Sequence, residues 1–267
     1  MIYLSTFKLS DRKVRNPNLY PYNIFVNKEI DCFIFDHITL FYGENASGKS
    51  TILNILAKRL DLTGAEDVNY NPYFYDFIEE CTFGLGDDEN GKAYYKIPKN
   101  SRYIKSEDIL YEIKKIQQAS VLEESILQDR KIHGLTKEER DKFAESPTFQ
   151  KLIKDIIFGQ EKYSNGETSL RIFDDMIETD ALYLLDEPEI SLSPQNQVLL
   201  AEKINMHARL LGCQFIVATH SPFILGTLYG KIYNIDSSEY KVCHWKELEN
   251  VKFYFDFFEK HRRDEAL

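Results

Sequence analysis

Residues 43–50, Gly-Glu-Asn-Ala-Ser-Gly-Lys-Ser, constrain the fold of this chain more than any other stretch. They match the pattern GxxxxGK[ST] at every fixed position and follow the strand-like run CFIFDHITLF. The next residues, KSTILNILAKRL, have the apolar spacing of a mostly buried helix. A strand, a glycine-rich turn and a helix form the context in which this pattern binds phosphate groups. The sequence therefore predicts a phosphate loop in an α/β core.

The chemistry of such a loop assigns a role to each part of it. Glycines let the backbone N–H groups face the phosphates, and the N-terminus of the following helix adds partial positive charge. Lys49 is expected to reach the β- and γ-phosphates, and the Ser50 hydroxyl to ligate Mg²⁺. The residues predicted to bind ATP are Gly43, Asn45, Ala46, Ser47, Gly48, Lys49, Ser50 and Thr51.

Two acids end a second apolar strand, in the stretch Leu-Tyr-Leu-Leu-Asp-Glu-Pro at residues 182–188. Asp186 is expected to hold Mg²⁺, through water, opposite Ser50. Glu187 is the candidate general base, which orients and polarises the attacking water. The alternative is a strand that simply meets solvent at an acidic turn. The phosphate loop upstream favours the catalytic interpretation.

Two further features follow the same chain order. Residues 164–168, Ser-Asn-Gly-Glu-Thr, precede a helix-like run, and a helix N-terminus with a serine and a glycine is a second anion site. An ordinary turn is the alternative. His220 follows the apolar run QFIVAT, so it is expected at the carboxyl end of a parallel strand, where ligands bind. There it can donate a hydrogen bond to a γ-phosphate oxygen; otherwise it merely caps the strand.

The remaining sequence predicts how these parts are arranged. Short β-like runs, IYLSTFKL and YNIFV, open the chain; residues 61–105 are irregular, with a hairpin across GDDENGK; and helical spacing begins at residue 106. The last third alternates strands and helices, with Ser193-Pro194 and Ser221-Pro222 as helix starts. This order predicts a mainly parallel sheet with an N-terminal antiparallel β portion and an inserted helical lobe. The 267 residues then form one domain, comprising 1–105, 106–170 and 171–267.

The composition of the chain indicates which cellular location and which partners to expect. The formal net charge of −10 argues against tight, sequence-independent binding of nucleic acid, although a local basic face stays open. The four cysteines are widely spaced without a CxxC pair, which favours a reducing, cytoplasmic location over disulfides or a metal site. No apolar run approaches the ~20 residues of a membrane span, so direct membrane insertion is not expected.

The ordered set GENASGKST, SNGETS, YLLDEPEISLSPQNQ and FIVATHSPFIL resembles the ABC ATPase superfamily across essentially the whole chain. It is most similar to small bacterial AAA-type ATPases with an ABC fold, and it is related to the heads of chromosome-maintenance and break-repair ATPases. The resemblance implies ATP hydrolysis between two copies of the chain. Residues 164–167 (Ser164, Asn165, Gly166 and Glu167) would form a signature whose Ser164, Gly166 and Glu167 contact the γ-phosphate held by the other subunit, with residues 191–194 crossing the interface.

The chain departs from the superfamily pattern at two places. Asn165 and Tyr163 replace the first glycine and the leucine of the LSGGQ signature. No glutamine stands at the position that usually approaches Mg²⁺ from the entrance of the helical lobe. Glu107 is the nearest candidate for that role. The aromatic residue that stacks on adenine is not assigned by the sequence.

Three functions are compatible with these motifs. The chain could be an ATP-driven dimerisation switch that acts on a target protein or nucleic acid, in phage defence or genome maintenance. It could instead be the ATPase subunit of a membrane transporter, or a silent nucleotide sensor. Intact Lys49, Glu187 and His220 argue against the sensor, and the altered signature argues against the transporter. The sequence therefore favours the switch.

Overall fold

The computed structural model describes residues 1–16, 18–29, 32–68, 71–88, 90–117, 136–153 and 165–264. The strands are β1 Leu4–Lys8, β2 Phe33–Ile34, β3 Ile38–Tyr42, β4 Thr82–Leu85, β5 Arg102–Lys105, β6 Leu182–Asp186, β7 Gln214–Thr219, β8 Lys231–Asn234 and β9 Val242–Cys243. The labelled helices are α1 Tyr22–Phe25, α2 Lys49–Arg59, α3 Pro72–Glu80, α4 Ser106–Gln117, α5 Lys137–Ala144, α6 Asn165–Met176, α7 Pro194–Leu210, α8 Pro222–Thr227 and α9 Glu249–Asp264. Residues 147–153 are also helical.

The main sheet has the strand order β5-β6-β7-β3-β8-β9. Neighbouring strands from β5 to β8 are parallel, and β9 pairs with β8 in the antiparallel sense. Every residue of β3, β6 and β7 is buried. Strands that are covered on both faces carry such continuous apolar runs, which is why the sequence shows no alternation there.

A smaller antiparallel sheet of order β2-β1-β4 accompanies the main sheet. Buried Gln214, at the start of β7, connects the two. Its side-chain oxygen accepts from the N–H groups of Tyr3 and Leu4 at 2.8 and 2.9 Å, and its Nε2 donates to the Leu4 carbonyl at 2.8 Å. The predicted fold class, a mainly parallel α/β sheet with an antiparallel N-terminal portion, is confirmed.

Two N-terminal predictions were wrong. The run YNIFV is not a strand, because residues 22–25 form α1. Tyr22 and Phe25, three positions apart on this turn, both pack on Phe77 with ring centroids 4.9 and 5.4 Å away. Tertiary packing of this kind overrides the β-propensity of a short aromatic run. The run CFIFDHITLF also forms two strands, β2 and β3, rather than one.

Helix α3 lies in a stretch that the sequence analysis treated as irregular. Its start carries a recognisable signal, because Asn71 accepts a hydrogen bond from the Tyr73 N–H at 3.1 Å and Pro72 occupies the first turn. Phe74, Phe77 and Ile78 then lie on its buried face. The predicted hairpin nearby is supported by two backbone bonds, from Asp88 to Lys92 and from Gly91 to Asp88.

The described chain divides into two compact units. The first comprises residues 1–105, 178–190 and 197–267, and it holds both sheets. The second comprises residues 106–177 and 191–196. Its described secondary structure is helical, with α4 packed against α6 and with Phe149 and Phe173 buried. Among the described residues, no helix has both the length and the apolar character that crossing a membrane requires.

Candidate functional site

Three strand ends bring the predicted site residues of the first unit together. The phosphate loop (residues 43–51) follows β3, the two acids end β6, and His220 follows β7. Strand β7 lies between the other two and pairs in parallel with both, placing Thr219 beside Tyr42 and Ala218 beside Asp186. The carboxyl ends of these strands therefore meet at one edge of the sheet, where α/β proteins bind ligands.

The phosphate loop needs its two glycines. Gly48 has φ +100°, and a Cβ there would lie 2.8 Å from Ile24 Cγ2. A Cβ on Gly43 would lie 2.5 Å from Ser47 Oγ. The backbone thus curls more tightly than side chains at these positions would permit. Ser47 Oγ is buried and has no hydrogen-bond partner within the described residues, so it is a donor without an acceptor.

Lys49 is a buried cation that the loop itself holds. Its side chain is 4% exposed, and Nζ donates to the carbonyl oxygens of Gly43 and Glu44 at 2.7 and 2.9 Å. Nζ also lies 3.6 Å from Glu187 Oε1. A buried ammonium group requires anionic partners, and a phosphate group can supply them at this position.

The Ser50 hydroxyl and the Asp186 carboxylate face each other, as the sequence predicts. Ser50 Oγ donates to Asp186 Oδ1 at 3.1 Å. Tyr103 OH, from β5, donates to Asp186 Oδ2 at 3.0 Å. Burial raises the pKa of Asp186, and these two hydrogen bonds oppose that effect. A hydroxyl next to a carboxylate is an oxygen donor set that suits Mg²⁺.

Sequence reasoning missed Tyr103, because its contact with Asp186 depends on the pairing of β5 with β6. Tyr103→Phe removes one donor from a buried carboxylate. We expect the free energy of unfolding to fall by about 1–3 kcal/mol. Chemical denaturation measures this, with Tyr95→Phe as the control, since Tyr95 is 79% exposed. Equal stability of the two variants would contradict a structural contribution from the Tyr103 hydroxyl.

Glu187 and His220 form a second pair at the same edge. His220 Nδ1 lies 3.3 Å from Glu187 Oε1. This hydrogen bond is the main reason why the pKa of Glu187 is lowered and the pKa of His220 is raised. Glu187 is therefore ionised at neutral pH. It also adopts φ +45°, an uncommon conformation for a residue with a side chain, directly after the strand.

Sequence reasoning also missed the third acid of the DEPE stretch. Glu189 is 4% exposed, and its Oε1 accepts a hydrogen bond from the Thr219 hydroxyl. Its position three residues after Asp186 was visible in the sequence, but its burial was not.

An aromatic residue also stands beside the phosphate loop. Tyr20 OH lies 3.5 Å from Thr51 Oγ1, and the Tyr20 ring stacks on Phe74 at a centroid distance of 5.7 Å. Thr51 ends the loop on the helix side, so Tyr20 lies beside that end of the loop. The sequence alone did not single out Tyr20 among the 17 tyrosines.

Two cavities flank the phosphate loop. One, of about 450 Å³, is lined by the loop together with Ile24 and Glu187. The other, of about 690 Å³, is lined by the first loop residues, His220 and Phe253. A larger cavity, of about 910 Å³, lies at the amino ends of the strands near His37, Gly212 and Tyr229. It contains none of the predicted site residues, so the chemistry favours the smaller cavities.

The other predicted site residues belong to the second unit. Ser164 lies outside the described residues. The backbone of Asn165, Gly166 and Glu167 forms the first turn of α6, which is the local structure that the anion-site interpretation requires. Glu107 lies in the first turn of α4, where its carboxylate accepts from the Ser106 hydroxyl at 3.3 Å. The proposed roles of Glu107 and the signature residues stay predictions.

A known protein family matches a part of the chain that contains residues of this site. Residues 65–226 match the model of the family described as "AAA domain, putative AbiEii toxin, Type IV TA system". The match covers more than half of the 267 residues. The chain belongs to this family. The matched range includes Asp186, Glu187 and His220 and begins after the phosphate loop. Membership in this family confirms the AAA-type part of the resemblance seen in the sequence.

Several solved structures are similar in fold. Stu0660 of Streptococcus thermophilus shares 16% identity over 86% of this chain and 76% of that chain, with a TM-score of 0.43. The SMC head domain from Thermotoga maritima shares 13% over 87% and 94%, with a TM-score of 0.39. The protein cbiO1 from Clostridium perfringens, part of the ABC transporter complex cbiONQ, shares 13% over 100% and 99%, with a TM-score of 0.46. No curated protein matches the chain.

Proposed function

We propose that this chain binds and hydrolyses Mg-ATP as a head-to-tail homodimer that forms when ATP binds and that regulates a partner. The observation that carries this proposal is the convergence of Lys49, Ser50, Asp186, Glu187 and His220 at one sheet edge. A protein that only binds a nucleotide needs Lys49 but does not need the other four residues. The additional pairing of an ionised glutamate with a histidine supports hydrolysis.

The residues present fit ATP and Mg²⁺. Ser47 Oγ offers a buried hydrogen-bond donor that has no partner within the described residues. Lys49 would exchange its carbonyl partners for phosphate oxygens. Ser50 and Asp186 would hold Mg²⁺, which supplies charge neutralisation between the β- and γ-phosphates. Glu107 is a further candidate ligand from the second unit.

Glu187 supplies the base in this proposal. Its lowered pKa keeps the carboxylate ready to accept a proton from the attacking water at neutral pH. His220, whose pKa is raised by the same pairing, can present its second ring nitrogen as a donor to a γ-phosphate oxygen. In this proposal Glu187 therefore serves proton transfer, and His220 stabilises the charge on the γ-phosphate.

The number of nucleotide-binding motifs in one chain is the argument for the dimer. One chain carries one phosphate loop and one signature, and a head-to-tail pair closes with two-fold symmetry so that both signatures are used. Ser164 and the N–H group of Gly166, which lies in the first turn of α6, would bind the γ-phosphate held by the partner. After hydrolysis they have no γ-phosphate to bind, so ATP stabilises the dimer more than ADP does.

The target of this switch is proposed more coarsely. A protein partner is favoured over nucleic acid because the net charge of −10 opposes binding to a polyanion. The toxin and type IV TA system in the family description agree with a regulatory or defence role. The widely spaced cysteines favour the cytoplasm as the location. The transporter-subunit alternative is less favoured, because Tyr163 and Asn165 depart from the transporter signature.

Sedimentation of Glu187→Gln tests the dimer. We expect this variant to be a dimer with Mg-ATP and less dimeric with Mg-ADP, because slow hydrolysis preserves the γ-phosphate. Adding Ser164→Arg introduces a bulky side chain in the predicted signature and should abolish the ATP-induced dimer while ATP binding persists. Equal dimerisation of the single and double variants on Mg-ATP would refute the assignment of residues 164–167.

A further inference from the structure

Glu189 is a buried acid to which the proposed chemistry gives no task. Only 4% of its surface is exposed, and its Oε2 atom has no hydrogen-bond partner within the described residues. Burying a carboxyl group away from water is unfavourable unless hydrogen bonds or charges compensate. Burial accordingly raises the pKa of Glu189. An apolar residue would fill this space without the unfavourable free energy of burying a carboxyl group. We therefore expect the carboxyl group to have a function.

The side-chain hydrogen bonds of Glu189 go to two adjacent residues, Thr219 and His220. Oε1 accepts a hydrogen bond from the Thr219 hydroxyl and lies 3.3 Å from the His220 backbone nitrogen, which donates to it. The carboxyl group thus fixes the peptide that carries His220, directly where β7 ends. Asn250 holds the other side of the same residue, with Nδ2 donating to the His220 carbonyl at 2.9 Å.

The His220 ring lies between two carboxylates. Nδ1 is 3.3 Å from Glu187 Oε1 and 4.0 Å from Glu189 Oε1. Glu187 cannot keep this hydrogen bond at full strength while it accepts a proton from the attacking water. The ring then needs another acceptor for Nδ1–H, or it loses its orientation when the γ-phosphate requires it.

We propose that Glu189 is a positioning residue for His220: its buried carboxyl group anchors the histidine backbone and receives Nδ1–H when Glu187 turns to the attacking water. The two acids thereby share the histidine in alternation. Glu189 itself touches neither ATP nor water in this scheme, and it acts through His220. The inference rests on the proposed ATP hydrolysis and deepens it.

The test is a double-mutant cycle on Mg-ATP hydrolysis, measured by steady-state kinetics and, for slow variants, in a single turnover. Glu189→Gln retains an acceptor for the Thr219 hydroxyl, so the fold and KM should be unchanged. We expect kcat to fall about tenfold, the effect of weakening one hydrogen bond to a charged group. In the His220→Ala background the same substitution should change the rate less than about twofold, because the residue it positions is gone.

Several outcomes would overturn the proposal. Glu189→Gln could hydrolyse ATP at the wild-type rate, or it could lose the same factor in the absence of His220. Unfolding of Glu189→Gln, monitored by its melting temperature, would show that the carboxyl group serves the fold and not the histidine. Glu202→Gln, on an exposed part of α7, is the matched control and should leave kcat unchanged. If the wild-type chain hydrolyses ATP and Glu187→Gln does not, the proposed function survives any failure of Glu189.

Discussion

Glu187→Gln is expected to bind Mg-ATP like the wild-type chain and to hydrolyse it about 10²–10⁴-fold more slowly. The amide has the size of the carboxylate and can still accept a hydrogen bond from His220, which lies 3.3 Å away in the wild type. It cannot accept the proton of the attacking water. Nucleotide affinity should persist, because the substitution leaves Lys49 and its place in the loop unchanged, so that the ammonium group can still bind the phosphates. Phosphate release and equilibrium binding of a fluorescent ATP analogue measure the two quantities separately.

The control for this prediction is again Glu202→Gln, which removes the same charge from an exposed helix position. It should hydrolyse ATP at the wild-type rate. Hydrolysis by Glu187→Gln within a few-fold of the wild-type rate would show that the general base is another residue.

Lys49→Ala is expected to weaken ATP binding about 100-fold or more, the effect of truncating one partner of a buried, hydrogen-bonded charge pair. The Nζ group is buried beside Glu187, 3.6 Å from Oε1. Without it the phosphates lose a cation, and the Glu187 carboxylate loses the positive charge that lies 3.6 Å from it. Isothermal titration with Mg-ATP measures the loss.

Lys49→Arg separates charge from geometry in the same experiment. It keeps the cation but cannot place a wider guanidinium where the loop holds a single ammonium group between two carbonyls. We expect it to bind more weakly than the wild type and more tightly than Lys49→Ala. Unchanged affinity in Lys49→Ala would contradict the role of Lys49 at the phosphates.

Much of the site could be predicted from sequence because its signals are local. The phosphate loop has fixed spacing, and the acids and His220 each end an apolar run that forms a buried parallel strand. Chain order alone then places three strand ends at one edge. The same reasoning predicted the starts of α7 and α8, since a serine followed by a proline is a signal within a few residues.

The residues that sequence reasoning missed depend on contacts between distant parts of the chain. Tyr103 meets Asp186 only because β5 pairs with β6. Glu189 is held by hydrogen bonds from Thr219 and His220, which lie 30 and 31 residues further along the chain. The helical turn of α1 is set by Phe77 on another helix. Spacing patterns do not encode such contacts, so these residues became visible only with the sheet order.

Because β7 lies between the other two strands of the site, the register of its backbone pairing determines where the site residues lie. β7 is bonded to β3 on one side and to β6 on the other, so a slip by one residue would turn His220 to the opposite face of the sheet. The distances between lysine, acids and histidine are thereby set by main-chain hydrogen bonds, which any buried apolar sequence can make. Strand pairing thereby keeps the ends of β3, β6 and β7, which carry the site residues, aligned with one another.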